Sequence, residues 1–308
     1  MSNRELLALG TASQVPTRRR NHNGYFLRWD DEGFLFDPGE GTQRQMVFGD
    51  LPASALHRVF ITHFHGDHCL GLAGILQRLS LDRCAHPVTV HYPASGQVYF
   101  DRLQDASIYH HAATILPAPV DVPPDTLGLI AETDTYRVFA HQLDHPVPTF
   151  GYRIEERPSR TFLPDRLAAL GVVGPAIKTL GEQGFLQVGG RVVSLEDVSV
   201  PRPRAVFAFV MDTRPCAGAL RLAHDADLLV MEATFAAADQ ELATAYSHCT
   251  SIDAAQTALA AGARRLAITH FSQRYTSTDA HVAEARAVFP ETVALRDLDR
   301  LQIPRRRA

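Results

Sequence analysis

The sequence predicts an α/β protein, and three observations lead to that class. At 308 residues the chain can bury a full core, as one large domain or two fused halves. Strand-like runs crowd the first half, whereas strand-like and helix-like segments alternate in the second. Several residues able to bind a metal stand at the ends of predicted strands. Ligand-bearing loops gathered at one edge of a sheet are where α/β proteins place their sites. No short tandem repeat breaks this pattern.

Residues 6–10 read as a first strand ending at a glycine turn, and the polar loop 11–23 follows. Residues 25–29 and 33–37 form a hairpin around Asp30-Asp31-Glu32, and the second strand delivers Asp37. A carboxylate at a strand end can orient the ligands of a nearby site. A helix over 43–48 precedes Val59-Phe60-Ile61-Thr62, which reads as a buried strand because it is β-branched and aromatic without charge. Next come His63-Phe64-His65-Gly66-Asp67-His68 and an apolar stretch with Gly71 and Gly74 that reads as helical. Residues 87–92 predict a strand, 95–109 a broken helix, and the proline-rich 117–125 a surface connection. Strands resume at 127–130, 136–140 and 150–154. Over 155–196 charge, proline and glycine rise and long apolar periodicity is lost, apart from a short helix at 164–170. That stretch reads as an insertion projecting from the core. Strands at 205–212 and 227–232 each end in an acid, and a helix at 251–261 leads to a strand at 265–270 that ends in His270. A helix at 280–288 and a strand near Leu301 close the chain.

Composition excludes several classes. Hydrophobic residues at 45% and charged residues at 21% are those of an ordinary globular protein. No run approaches the roughly 18 apolar residues that span a bilayer. The apolar part of MSNRELLALG is too short for a secretory signal, so a cytoplasmic protein without membrane contact is expected. Cys69, Cys84, Cys216 and Cys249 show no CxxC spacing, which indicates neither a zinc knuckle nor a disulfide framework. A net charge of −4 argues against a protein that coats nucleic acid. The basic residues are nearly all arginine, whose planar fork suits phosphate, and Lys178 is the only lysine. Arginines cluster at 18–20 and at 305–307, the second cluster reading as a solvated tail.

The densest chemistry lies in residues 63–68. Alternation along an extended segment puts His63 and His65 on one side, Gly66 permits a sharp turn, and Asp67 and His68 open the next element. Three imidazoles and a carboxylate so close together suit two borderline-soft divalent cations, zinc foremost. Two metals need further ligands. His145, Asp212 and His270 are the best remaining candidates, each at or just past a predicted strand, with His141 competing with His145.

Residues 62–68 resemble the HxHxDH signature of the metallo-β-lactamase fold superfamily. Within it the chain resembles the ribonuclease Z family, endonucleases that trim the 3′ end of precursor transfer RNA. The resemblance rests on Leu9-Gly10-Thr11, the PTRRRN loop from Pro16 to Asn21, and Leu35-Phe36-Asp37 with Gly39-Glu40-Gly41-Thr42-Gln43. It continues through Leu143-Asp144-His145 with Gly151-Tyr152-Arg153, Asp212-Thr213-Arg214, Glu232-Ala233-Thr234-Phe235, Ser247-His248, and Thr269-His270 with Arg274-Tyr275. It implies an αβ/βα sandwich with an inserted flexible arm: halves at about 1–154 and about 197–308, and an RNA-binding arm at 155–196. It implies two zinc ions per subunit, with manganese or iron as alternative occupants. His63, His65 and His145 would hold one ion and Asp67, His68 and His270 the other, with Asp212 bridging. Asp67 would accept a proton from the attacking water, and His248 would donate one to the departing 3′ oxygen or stabilise charge on the phosphate. Arg18, Arg20, Asn21 and Arg274 would meet the RNA end, and Lys178 lies in the arm's GP-x-x-x-x-L-x-x-G pattern. A homodimer is implied as well.

The chain departs from the family pattern at Met211, where a glycine is usual, at Met231, where a histidine is usual, and in its acidic, lysine-poor arm. Asp37 reads as an orienting group, and the role of Glu232 stays open between orienting His248 and ending a strand. Two other functions stay open: a phosphodiesterase or sulfatase of the same fold acting on small substrates, and an RNA-binding relative with impaired catalysis. The full ligand set counts against the second, and the arm with the PTRRRN loop counts against the first.

Overall fold

The computed structural model describes residues 3–303; the arginines at 305–307, expected as a solvated tail, lie outside the described residues. The chain opens with strands β1 (Arg4–Gly10), β2 (Gly24–Trp29) and β3 (Glu32–Phe36), helix α1 (Thr42–Phe48), and β4 (Arg58–Phe60). Helices α2 (Gly66–Cys69) and α3 (Leu72–Leu81), β5 (Val88–Pro93), α4 (Gln97–Gln104) and β6 (Ile115–Val120) follow. Next are β7 (Gly128–Glu132), β8 (Tyr136–Gln142) and β9 (Phe150–Glu156). A separate compact unit, Glu156–Ala205, contains β10 (Ser159–Phe162), α5 (Pro164–Ala169), α6 (Pro175–Gln183), β11 (Phe185–Val188), β12 (Arg191–Ser194), α7 (Leu195–Val198) and β13 (Ser199–Arg202). The larger unit then resumes with β14 (Val206–Val210), α8 (Ala217–Ala223), β15 (Leu228–Glu232), α9 (Gln240–Tyr246) and α10 (Ser251–Ala260). It ends with β16 (Leu266–Thr269), α11 (Asp279–Val288), β17 (Thr292–Ala294) and β18 (Arg300–Gln302).

The larger unit is built on two seven-stranded sheets, ordered β18-β1-β2-β3-β4-β5-β6 and β17-β16-β15-β14-β9-β8-β7. Strand alternation explains how they pack. Phe34, Phe36 and Phe60 point from the first sheet toward Tyr136, Tyr152, Phe207 and Phe209 of the second; the Phe36 and Phe209 rings lie 4.7 Å apart and Phe60 and Tyr152 5.0 Å. The intervening Leu35 and Val59 face the other way and join Leu72, Ile75, Leu76 and Leu79 of α3 in one apolar cluster. Val206, Ala208 and Val210 likewise meet Ala219 and Leu222 of α8 and Ala254, Ala255 and Ala258 of α10. Helices therefore cover the outer face of each sheet, giving the αβ/βα sandwich. Strands buried on both faces read as continuous apolar runs, as VFAFV and LLVME do.

Parallel pairing sets where the site lies. β3, β4, β5 and β6 run parallel, as do β14, β15, β16 and β17. Asp37, His63, Asp212 and His270 all follow the C-terminal ends of such strands, and Glu232 ends β15.

One expected connection is a strand. Residues 115–120 pair with β5 along its length, and Pro117 and Pro119 are accommodated because β6 is an edge strand. Two residues apart, both ring nitrogens lie on the same side, so no ladder hydrogen bond to β5 is lost. The inserted unit runs to Ala205 rather than ending at 196, because β13 returns to pair with β10, Ser159 opposite Arg202. Leu167, Val172, Leu180, Val193 and Val198 give it a small core of its own.

Candidate metal centre

Four imidazoles are oriented by the same device. His68 donates its Nδ1–H to Asp37 Oδ2 at 2.9 Å, and His63 Nδ1 lies 3.1 Å from Thr62 Oγ1. His270 Nδ1 is 2.7 Å from Thr234 Oγ1, and His145 Nδ1 is 3.2 Å from the Ser247 carbonyl. With Nδ1 engaged on oxygen, each ring turns its Nε2 lone pair inward, which is how ligating histidines are held in one tautomer. Asp37 is itself fixed by the Thr62 N–H at 2.7 Å and the Thr62 hydroxyl at 2.8 Å. Its expected role as an orienting group matches this position.

The inward atoms fall into two sets. His63, His65, His145 and Asp212 form one, and Asp67, His68 and His270 form the other. Asp212 faces both: Oδ1 lies 3.1 Å from His270 Nε2 and 3.3 Å from His68 Nε2, while Oδ2 lies 3.7 Å from His63 Nε2 and 3.9 Å from His145 Nε2. Asp67 Oδ2 is 3.2 Å from His68 Nε2 and 3.5 Å from His270 Nε2. Two of these residues, Asp212 (φ 41°) and His270 (φ 62°), hold the left-handed backbone that non-glycine residues rarely adopt. Met211 does not share that conformation, so the turn beside it demands no glycine.

The donor set fits divalent cations. His145 Nε2, His270 Nε2 and Asp212 Oδ1 are buried and lack a hydrogen-bond partner, a costly arrangement that coordination satisfies. His63 Nε2 and His65 Nδ1 face each other at 2.8 Å. Burial pushes the pKa of His63, His65 and His145 down, keeping these rings neutral and able to ligate. Burial also works against charge on Asp67 and Asp212. Nearby imidazoles outweigh it, His68 foremost for Asp67 and His270 foremost for Asp212, and hold both carboxyls far below their usual range. His68, buried yet ringed by Asp212, Asp67 and Asp37, is raised, so a positive charge is favoured at this point in the molecule.

Glu232 organises the neighbouring group. Its Oε1 accepts from His248 Nδ1 at 2.8 Å and from the Thr213 N–H at 2.7 Å, and its Oε2 accepts from the Thr234 hydroxyl at 2.5 Å. One buried carboxylate thus ties together His248, the residue after Asp212, and the threonine that orients His270. Burial disfavours the imidazolium at His248, but the charges of Glu232 and Asp212 overcome it and raise the pKa to about 9. His248 also lies close enough to Asp212 and His270 for their polar atoms to face one another.

The other predicted residues are dispersed. Arg18 is exposed on the turn of residues 17–20. Arg20 points inward, with Nη1 donating to Thr11 Oγ1 at 2.6 Å and to the Leu295 carbonyl at 2.9 Å, and its guanidinium over the Phe271 ring. Asn21 spends its side chain on the His22 and Glu40 carbonyls. Arg274 lies over Phe235 and 3.4 Å from Asp239. In the smaller unit, Lys178 is exposed and 3.8 Å from Glu182. His141 is not in either ligand set and engages the Gln142 carbonyl. Arg153 of the Gly-Tyr-Arg motif takes up the Leu222 and His224 carbonyls at the end of α8, a structural task. Sequence reasoning missed Thr62, Thr213 and Thr234 as orienting groups. Each stands inside a quoted motif, but a threonine carries no signal of its own there.

Known proteins place this geometry. Residues 17–163 match the model of the metallo-β-lactamase superfamily. The chain is 54% identical, over all of both chains, to a protein of Nocardia farcinica named ribonuclease Z. It is 52% identical to one of the same name from Streptomyces avermitilis, over 99% of this chain and all of the relative. Among solved structures it resembles human tRNase Z, short form, with a TM-score of 0.69 and 25% identity over 97% of this chain and 99% of that one. Identity above half, carried from end to end of both chains, shows the family: this chain belongs to the ribonuclease Z family.

Proposed function

We infer that the protein is a metal-dependent endoribonuclease that removes the 3′ trailer of precursor transfer RNA by hydrolysing one phosphodiester. The observation that carries this is the pair of ligand sets joined at Asp212, one carboxylate oxygen facing each, in a chain 54% identical from end to end to a ribonuclease Z. Divalent metal supplies Lewis acidity to such a site, lowering the pKa of water and neutralising charge on the phosphoryl oxygens. His63, His65 and His145 would hold one ion and Asp67, His68 and His270 the other, with Asp212 facing both sets. Asp67, kept ionised, accepts the proton of the attacking water as the new P–O bond forms. His248, kept protonated beside Glu232, gives its proton to the 3′ oxygen as the old bond breaks. The products are a transfer RNA ending in a 3′ hydroxyl and a trailer beginning with a 5′ phosphate.

The finer points rest on the family resemblance. We take the ions as two zincs, for which histidine and aspartate are suited ligands. The unit Glu156–Ala205 is taken as the arm that grips transfer RNA away from the cut, with Lys178 on its α6. Arg18 and Arg274 are taken to contact the RNA end; Arg20 and Asn21, expected to do the same, spend their side chains within the fold and are taken instead to hold the loop that carries Arg18. A homodimer is the expected working form and the cytoplasm its expected compartment; no described helix is long and apolar enough to cross a membrane.

The test is to incubate the purified protein with a 3′-extended precursor transfer RNA and with bis-p-nitrophenyl phosphate, with and without chelator. Both should be cut, and chelator should abolish both reactions. Hydrolysis of the small ester alone would overturn the RNA reading, and neither reaction would leave only an RNA-binding relative.

A further inference from the structure

The turn that presents Arg18 and Arg19 is held from beneath by a carboxylate far away in sequence. Residues 17–20 close on themselves: the Thr17 N–H donates to the Arg20 carbonyl at 2.8 Å. Thr17 Oγ1 accepts the N–H groups of Arg19 at 3.2 Å and Arg20 at 3.0 Å. Arg18 and Arg19 are exposed on this turn. The next residue, Asn21, donates its N–H to Asp297 Oδ2 at 2.6 Å. Thr11 donates its hydroxyl to Asp297 Oδ1 at 2.7 Å while accepting from Arg20 Nη1 at 2.6 Å. Gln45 Nε2 also reaches Oδ2, at 3.2 Å. Arg20 and Asp297 are thus linked through one hydroxyl, and three separate segments converge on one largely buried acid. A cavity of about 630 Å³ borders the turn, with Arg18, Arg19, Arg296, Thr276 and Ser277 in its wall. Asp297 is absent from both ligand sets.

We propose that Asp297 is a positioning residue for the substrate, fixing the turn of residues 17–20 so that Arg18 and Arg19 meet the phosphodiester backbone of RNA lying in this cleft. The proposal rests on the endoribonuclease reading above. Long basic side chains lose freedom on binding, and a turn fixed in advance spares the backbone share of that loss. Such preorganisation acts on binding the RNA rather than on the bond being cut, so it belongs to KM rather than kcat. Asparagine at 297 keeps the shape but must turn its NH₂ toward a donor, either the Asn21 N–H or the Gln45 amide on one side or the Thr11 hydroxyl on the other.

The test uses Asp297→Asn and, as a milder variant that keeps the side-chain shape, Thr11→Val in the full chain. For each, the measurements are kcat and KM on precursor transfer RNA, kcat/KM on bis-p-nitrophenyl phosphate, bound metal, and the rate of tryptic cleavage after residues 18–20. In Asp297→Asn, KM for the RNA should rise about tenfold with kcat within about twofold. Ester hydrolysis and metal content should match wild type, and trypsin should cut the turn faster. Thr11→Val should move the same way by less. Unchanged KM and unchanged tryptic cleavage in both variants would overturn the proposal. So would a joint loss of metal, ester hydrolysis and RNA cleavage, which would make Asp297 a support of the metal centre. Wild-type protein that hydrolyses the ester but never the RNA would sink the endoribonuclease reading instead, and the tryptic rates would then decide whether Asp297 holds the turn.

Discussion

At His248 a single neighbour decides which ring nitrogen is available. Its Nδ1 is committed to Glu232 at 2.8 Å, which leaves the other ring nitrogen for the proton donation proposed above. Replacing it with alanine should leave both ligand sets intact, so bound metal should stay at the wild-type level while turnover falls by roughly 10²–10⁴. Retained turnover in that variant would remove His248 from the mechanism. The chain's HxHxDH spacing announced metal directly. Glu232 gave no comparable sign, because its value lies in partners 16 and 19 positions away in the chain. Asp297 was silent for the same reason, 276 residues from the Asn21 it holds. His91 is a second instructive histidine, with no part in the site. Burial, and then the adjacent Arg58, lower its pKa from 6.5 to about 3. The unfolded chain therefore takes up this proton first: the stability contribution is complete above about pH 6.5 and is lost as pH falls toward 3. His91→Gln should lose less stability than wild type between pH 7 and pH 4, as read from urea midpoints; parallel pH profiles would show that His91 does not contribute.

At the scale of elements, the strands announced themselves and their ends did the chemical work. Runs such as VFAFV were legible because burial on both faces leaves no polar alternation to confuse them. β6 was not, because its prolines are a breaker signal that an edge position neutralises. Helix α8, AGALRLA, is short and gives little polar contrast, and it too escaped prediction. Helix α10 begins three residues after His248, and its start is closed by a capping box. Thr250 Oγ1 accepts from the Asp253 N–H at 3.3 Å, and Asp253 Oδ2 accepts from the Thr250 N–H at 2.9 Å. Thr250→Ala should cost about 1 kcal/mol of stability in urea unfolding. Because the cap also anchors the segment leading back to His248, kcat should fall while bound metal does not. Unaltered stability would mean that the cap is replaceable by solvent.

At the scale of the whole molecule, the chain folds as two compact units. β9 and β14 are antiparallel neighbours, with Glu155 directly opposite Val206. The unit Glu156–Ala205 therefore interrupts what would otherwise be a simple hairpin. Replacing it with a two-residue Asn-Gly turn should preserve the sandwich, its metal and hydrolysis of bis-p-nitrophenyl phosphate. Cleavage of precursor transfer RNA should fall by tenfold or more, on the order expected when a remote binding surface is removed. Equal RNA cleavage with and without this unit would show that recognition lies entirely in the sandwich, an outcome to which its exposed Lys178 beside Glu182 lends weight. The strand that closes this unit gave no sign in the sequence, since β13 looks like linker until β10 is there to pair with it. The two ligand sets, joined at Asp212, should act together in cutting the 3′ trailer. The decisive measurement adds zinc back to chelator-treated protein while cleavage of a 3′-extended precursor is followed, alongside Asp212→Ala. The expected result is cleavage that rises only as the second equivalent binds, and an Asp212→Ala variant that neither retains the metal nor cleaves. Full activity at one equivalent, or an Asp212→Ala variant that keeps two ions, would contradict it.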